Sequence, residues 1–239
     1  MNTPPALTIT DLSFAYPAGP ATVPSYTLDQ VSLSVAAGER VGIIGANGCG
    51  KTTLLLTICG VLAPSSGTVA VFGVPVQVGV FQPEVGFVFQ NPNDQLFCPT
   101  VAADVAFGPT NLGLPADVIA ARVHAALAMT RTAHLAERAP HHLSGGEKRL
   151  VALAGVLAMQ PRLILLDEPE AHLDRRARRE VLTLLQAMRE TLLIASHDFA
   201  ALAEVCTRVV LLSGGRVVAD DCPEAVLENP PLLAEHGLT

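Results

Sequence analysis

Tryptophan is absent from this chain of 239 residues, and two tyrosines and eight phenylalanines are its only other aromatic residues. Half the sequence is nonetheless apolar, so the core has to be built mainly from alanine, valine and leucine. No uninterrupted apolar run approaches the roughly 18 residues that cross a bilayer as a helix. Nor does a basic segment followed by an apolar stretch open the chain, so no secretory leader is expected and the cytosol is the default compartment. Basic residues are scarce: 15 Lys and Arg against 22 Asp and Glu leave a net charge of −7. That balance argues against a nucleic-acid backbone as the main partner. The one basic cluster, Arg175, Arg176, Arg178 and Arg179, opens an amphipathic helix expected to run to Arg189, and a solvated face is its simplest reading. The cysteines (Cys49, Cys59, Cys98, Cys206 and Cys222) include no C-x-x-C pair, which argues against a disulfide framework or a metal site. His141 and His142 lack partners at metal spacing and read as loop residues. The length allows one substantial core, as one domain or a domain with a subdomain.

What the chain does have is a glycine-rich loop. Residues 45–52 read Gly-Ala-Asn-Gly-Cys-Gly-Lys-Thr and fit the pattern G-x-x-x-x-G-K-[ST], which holds the phosphates of a nucleotide. Arg40 to Ile44 ahead of it reads as a short buried strand, and Thr52 to Cys59 as the start of an apolar-faced helix. Such a loop turns backbone N–H groups inward while the helix points its positive end at the same place. Gly45, Gly48 and Gly50 permit backbone angles and a close approach to phosphate that a Cβ would hinder. Lys51 can reach the β- and γ-phosphates, and the Thr52 hydroxyl is placed to ligate Mg2+. The Cys49 thiol, at a helix N-terminus beside the phosphates, is expected to favour the thiolate. The rival reading is a glycine-rich turn between core elements.

Alternation of apolar and polar residues over about 6–44, with turns at Pro17-Ala18-Gly19-Pro20 and Ala37-Gly38, predicts antiparallel strands leading into the phosphate loop. Short strands are expected at Thr68 to Phe72, Val76 to Val80 and Val85 to Phe89. Helical periodicity follows at Asp117 to Met129 and Glu147 to Met159, with Arg138 to Ser144 as connector. The pattern suggests a helical insertion between two halves of an α/β core. Leu163 to Leu166 is a fully apolar strand ending in Asp167-Glu168, and Leu192 to Ala195 is another, ending in Ser196-His197. The carboxyl ends of buried parallel strands are where α/β proteins place their chemistry. Behind a phosphate loop, Asp167 would hold Mg2+ and Glu168 could take a proton from an attacking water. Alone, the acidic pair could merely cap a turn. A hairpin around Ser213-Gly214-Gly215 and a short helix near Pro223 to Glu228 complete the pattern.

Leu143-Ser144-Gly145-Gly146-Glu147 is the second sharp signal. It is a helix start able to bind an anion, and a chain with two such sites has one more than a single nucleotide needs. The surplus suggests two molecules pairing head to tail with each nucleotide clamped between them. A Ser N-cap with a Glu capping box fits the same residues.

With these motifs in this order, the chain resembles the ATP-binding-cassette ATPases, the nucleotide-binding subunits of membrane transporters, over nearly its whole length. The resemblance implies an α/β fold: a RecA-like P-loop NTPase core (residues 1–90 and 161–239) with an N-terminal antiparallel β-subdomain and an α-helical subdomain inserted at about 91–160. It implies MgATP as the nucleotide, held by Gly45, Ala46, Asn47, Gly48, Cys49, Gly50, Lys51, Thr52 and Thr53. Tyr16 looks like the aromatic that stacks on adenine. Gln90 looks like the glutamine that touches Mg2+ or the attacking water and couples to the membrane subunit. Ser144, Gly145 and Gly146 look like the contacts to the γ-phosphate bound on the opposite subunit, and Asp174 like the residue linking the two sites. His197, otherwise an ordinary loop histidine, looks like the switch histidine on the γ-phosphate.

Three stretches narrow the resemblance: Val88-Phe89-Gln90-Asn91-Pro92-Asn93-Asp94-Gln95-Leu96-Phe97, Asp104-Val105-Ala106-Phe107-Gly108-Pro109, and Ser144 through Gly155. They are similar to energy-coupling-factor type ATPases, importers of cobalt, nickel or vitamins such as biotin. Those importers use a transmembrane coupling protein and a small membrane substrate-binding subunit. That implies a peripheral seat on the cytoplasmic face of the cell membrane, no nucleic acid, and a homodimer or a paired homologous ATPase. The absence of a longer C-terminal extension favours the homodimer and a dedicated cobalt or nickel importer. A soluble cassette ATPase acting on DNA, ribosomes or iron–sulfur assemblies is the rival from another class. Three residues depart from the family pattern: Cys49 for Ser, Glu170 for Thr or Ser, and His172 for Gly. The last two put communication between sites in doubt more than hydrolysis.

Overall fold

The structure, a computed structural model, describes residues 4–17 and 26–238; of the turn expected at Pro17 to Pro20, residues 18–20 lie outside the described residues. The strands are β1 (Leu7–Phe14), β2 (Leu28–Val35), β3 (Arg40–Ile44), β4 (Ser66–Val71), β5 (Val74–Pro75), β6 (Val85–Val88), β7 (Leu163–Asp167), β8 (Thr191–Ala195), β9 (Arg208–Ser213) and β10 (Arg216–Asp221). The helices are α1 (Lys51–Ile58), α2 (Val101–Asn111), α3 (Ala116–Met129), α4 (Gly145–Ala158), α5 (Arg175–Ala187), α6 (Phe199–Val205), α7 (Pro223–Leu227) and α8 (Pro230–Glu235). They fall into two compact units: Met1–Gln82 with Glu190–Thr239, and Pro83–Arg189. None of the described helices is long and apolar enough to cross a membrane.

In the first unit β2, β1, β4 and β5 form an antiparallel sheet in that order. The buried positions of β1 change parity, from Leu7 and Ile9 to Leu12 and Phe14. The change sits at a register shift where Asp11 takes a left-handed φ of 48°. One extra residue in a strand re-aims every side chain after it, which keeps both halves of β1 facing the core. The same unit carries β10, β9, β3 and β8, with β3 parallel to both β8 and β9 and the hairpin strand β10 antiparallel to β9. Val41, Ile43 and Ile44 of β3 and Leu192 and Leu193 of β8 are wholly buried, as an interior parallel strand covered on both faces requires.

The strand expected at Val76 to Val80 does not form; the extended pair comes earlier, at Val74–Pro75. The valines alternate as a strand would, but Gly79 takes a left-handed φ of 75°. Its amide bonds to Gly60 O at 2.9 Å, and the Val80 amide bonds to Gln77 O at 3.2 Å, so the segment is a turn with Val78 and Val80 facing solvent.

In the second unit β6 and β7 pair in parallel, and β7 is buried along its whole length. Gly86 of β6 lies against Val156 of α4 where no Cβ would fit. Helix α2, which the periodicity did not separate from its surroundings, is capped by Thr100, whose hydroxyl accepts the Ala103 N–H at 3.2 Å. Pro109 lies within this helix, a residue that ordinarily argues against a helix interior because it lacks an N–H.

Candidate functional site

In the first unit the phosphate loop leaves β3 at Ile44 and enters α1 at Lys51. Gly45 (φ 155°), Gly48 (φ 79°) and Gly50 (φ 109°) all take backbone angles that disfavour an L side chain. At Gly45 a Cβ would also strike the carbonyl of Leu212 and come within 2.5 Å of Cys49 Sγ. Gly50 is the N-cap of α1, and no side chain caps the helix. The positive end of the helix favours an anion at this place. Ala46, Asn47, Gly48 and Thr52 are exposed at the mouth of the loop. Lys51 is 7% exposed, and its ammonium donates to Gly45 O at 2.7 Å and Ala46 O at 3.3 Å.

Tyr16 joins this loop. Its hydroxyl lies 3.3 Å from Thr53 Oγ1, and its ring, 52% exposed, meets Phe14 edge-on at 4.9 Å. An exposed aromatic held beside the phosphate helix can stack on a base. His197, exposed, follows the end of β8 in the same unit. Ser196 Oγ accepts the Asp198 amide at 2.9 Å, and Asp198 caps α6. The thiolate expected at Cys49 is not what the loop favours. Burial pushes its thiol above the ordinary value of 9.0, and the nearby Lys51 charge and backbone hydrogen bonds only partly offset this. The loop is glycine-lined but half-closed over the sulfur, and burial disfavours the anion more than the cation favours it.

In the second unit Asp167 ends β7 and Glu168 follows with a left-handed φ of 46°; their exposures are 4% and 9%. Gln90, just past β6, donates its amide to Glu168 Oε2 at 2.9 Å. An amide that fixes a buried carboxylate orients a base without protonating it. Motif reading did not single out Arg149. It is 2% exposed in α4, with Nη1 donating to Phe89 O at 2.6 Å and Nη2 to Gln90 O at 2.5 Å. Burial lowers its pKa, opposed by Glu170 and then by Asp167 and Glu168. A lone arginine next to the apolar run Leu150 to Leu153 was the available signal, since a buried charge must find partners.

Ser144 and Glu147 form the capping box: Ser144 Oγ accepts the Glu147 amide at 3.3 Å, and Glu147 Oε2 accepts the Ser144 amide at 2.8 Å. Gly145 faces open space, whereas a Cβ on Gly146 would lie 2.6 Å from Ala177 Cβ of α5. Asp174 caps α5, its Oδ1 accepting the Arg176 and Ala177 amides at 2.9 and 2.8 Å. Ser144, Gly145, Gly146, His172 and Asp174 line one groove of about 620 Å3. His172, where the family pattern has Gly, takes a left-handed φ of 60°. The structure thus gathers the loop residues and Tyr16 in one unit, and in the other it pairs Gln90 with Glu168 and clusters Ser144–Gly146 with Asp174.

Comparison with known proteins agrees with these features. Residues 28–171 match the family model described as ABC transporter. A Synechocystis sp. protein carrying the name of an ABC transporter ATP-binding protein is 48% identical over 98% of this chain and 81% of its own length. The energy-coupling factor transporter ATP-binding protein EcfA of Methanothermobacter thermautotrophicus is 42% identical over 95% of this chain and 74% of its own. Among solved structures, CbiO1 of Clostridium perfringens, part of the ABC transporter complex CbiONQ, superposes with a TM-score of 0.84 at 34% identity, covering 98% of this chain and 95% of that one. The ATP-binding cassette MJ0796, solved as a dimer in a post-hydrolysis state with ADP and Pi, gives 0.79 at 25% identity, covering 91% and 98%.

Proposed function

This chain belongs to the ABC transporter family as an ATPase, and from that premise we propose that it powers an energy-coupling-factor type importer, of cobalt or nickel ions. The observation that carries the import reading is the likeness to CbiO1 over 98% of the chain. The reading takes residues 91–160 as the helical subdomain and the rest as the core.

In this reading Lys51 and the amides of residues 45–53 hold the ATP phosphates, and Tyr16 stacks on the adenine. The Thr52 hydroxyl, the Asp167 carboxylate and the Gln90 amide oxygen are hard oxygen donors of the type Mg2+ takes, and these residues would hold it. The ion would neutralise charge on the transferring phosphoryl group. Glu168 takes a proton from water as the water oxygen bonds to the γ-phosphorus and the bond to the β-phosphate oxygen breaks, releasing ADP. His197 contacts the γ-phosphate. Ser144, Gly145 and Gly146 of one copy meet the nucleotide held by a second, identical or homologous, copy, and Asp174 links the two sites. The chain sits peripherally on the cytoplasmic face of the membrane against a transmembrane coupling protein, which works with a small substrate-binding subunit.

The test is to purify the tagged chain from native membranes in mild detergent. Co-purification of a multi-spanning protein and a small integral protein is expected, and the metal content of that complex names the ion. A vitamin in place of a metal would change the cargo and keep the architecture. Recovery of soluble proteins or nucleic acid alone would overturn the import reading while leaving the ATPase chemistry intact.

A further inference from the structure

The segment Phe89 to Gln95 is fastened to α4 at several points, all within the second unit. Arg149 grips the carbonyls of Phe89 and Gln90 at 2.6 and 2.5 Å. Lys148 Nζ donates to Asn93 Oδ1 at 2.8 Å. Gln95 donates to Ala152 O at 3.1 Å and accepts the Phe89 amide at 3.2 Å. Gln90, so held, reaches Glu168 at 2.9 Å. The first turn of α4 is the Ser144–Glu147 capping box, little more than one turn before Arg149.

We infer that Arg149 is a positioning residue: it fixes the Phe89–Gln90 backbone so that the Gln90 amide orients Glu168, tying the first turn of α4 to the carboxylate that activates water. The guanidinium suits this task. Its planar fork gives each of two successive carbonyls its own nitrogen in a fixed geometry, which the freely rotating point charge of an ammonium does not impose. Its surroundings also retain it, because Glu170, Asp167 and Glu168 all act on its charge. The third guanidinium nitrogen, Nε, is buried with no hydrogen-bond partner among the described residues. A buried nitrogen left unsatisfied calls for an explanation, and the two bonds made by Nη1 and Nη2 supply one. Glu170 stands where the family pattern has Thr or Ser, so this chain opposes the buried arginine with an added carboxylate. Any displacement of the α4 start, as when a second copy engages Ser144 and Gly145, is then carried to Gln90 by the same helix.

The inference rests on Glu168 as the base, and the test separates the two. Phosphate release and ATP dependence are measured for the full-length protein and for Arg149→Met, Arg149→Lys, Gln90→Ala, Glu168→Gln and the double variant Arg149→Met with Gln90→Ala. Arg149→Met is expected to lower kcat at least about tenfold with KM for ATP within about twofold, the pattern of a group acting on the transition state alone. Arg149→Lys should regain part of kcat. Because Arg149 acts through Gln90, the double variant should fall no further than the worse single one. Independent, additive losses, or an unchanged kcat in Arg149→Met, would overturn the inference. Should Arg149→Met not fold, Arg149→Lys takes its place in the same cycle, since it keeps the charge and loses the fork. An active Glu168→Gln would overturn the inference together with the base assignment, whereas an inactive one with an additive cycle removes Arg149 alone.

Discussion

Gly145 and Gly146 are adjacent, both expected to meet a phosphate, and the structure predicts opposite consequences for giving each a methyl group. Alanine at 146 would bring two Cβ atoms to 2.6 Å. Both are locked to helix backbones, one in α4 and one in α5, so neither can swing aside and the helices must separate by about 1 Å to reach ordinary contact. Overpacking of this kind costs about 1–3 kcal/mol, offset by less than about 1 kcal/mol of helix propensity gained on replacing glycine. A net loss of about 1–2 kcal/mol should lower the unfolding midpoint by about 2–8 °C for a chain of this size. Alanine at 145 meets nothing within 4 Å, and should leave the midpoint unchanged or raise it by a few degrees, about 2–4 °C at most. The assay is thermal unfolding followed by ATP hydrolysis. Gly145→Ala should be well folded yet impaired in hydrolysis if its exposed backbone approaches a second copy's nucleotide. Adding Ala177→Gly should restore the midpoint of Gly146→Ala, less about 1 kcal/mol for a glycine in α5. Equal destabilisation by the two alanines, or no rescue by Ala177→Gly, would refute the packing argument.

Glu168→Gln should fold, because the Gln90 amide still finds an oxygen there, and bind ATP. Its turnover should fall by a factor of about 10²–10⁴, the usual contribution of a general base; phosphate release near the wild-type rate would sink that role. Alkylation at neutral pH should begin at Cys222, which is exposed, and lag at Cys49, whose thiol burial pushes up. Cys59, pushed up to about 12, should react more slowly still; mass spectrometry that finds Cys49 modified as fast as Cys222 would contradict this ordering. Hydrogen bonds from the Ser144 amide and hydroxyl hold the Glu147 carboxyl below its ordinary 4.5. A depressed folded value contributes stability above the unfolded value, lost as pH falls through the folded one. Glu147→Gln should therefore flatten the acid limb of stability below about pH 4.5, and superimposable denaturation curves for the two proteins there would rule the contribution out.

The elements written in contiguous sequence were the legible ones. The phosphate loop, the apolar strand before Asp167 and the capping box each depend on neighbours a few residues away, and each formed where local chemistry put it. What sequence did not disclose depends on distant packing. Val76, Val78 and Val80 alternate as a strand does, yet a left-handed Gly79 turns the chain and leaves two of them in solvent. Gly145 and Gly146 look equivalent until Ala177, 31 positions further along, stands against one of them. Cys49 was expected to ionise because of the helix end, but burial is the larger effect. Arg149 carried no motif role of its own, and only folding shows that its side chain reaches back 60 residues to Phe89.

Lys51 holds the carbonyls of Gly45 and Ala46. A phosphate oxygen that takes this ammonium has to displace, or share it with, carbonyls of the loop itself. Each hydrogen bond from a charged donor is worth about 1.5–3 kcal/mol, so the lysine also acts as a buckle that keeps the loop in shape. Replacing it with alanine removes the phosphate contact and unfastens the loop together, and the resulting loss of affinity cannot be read as the strength of one lysine–phosphate bond.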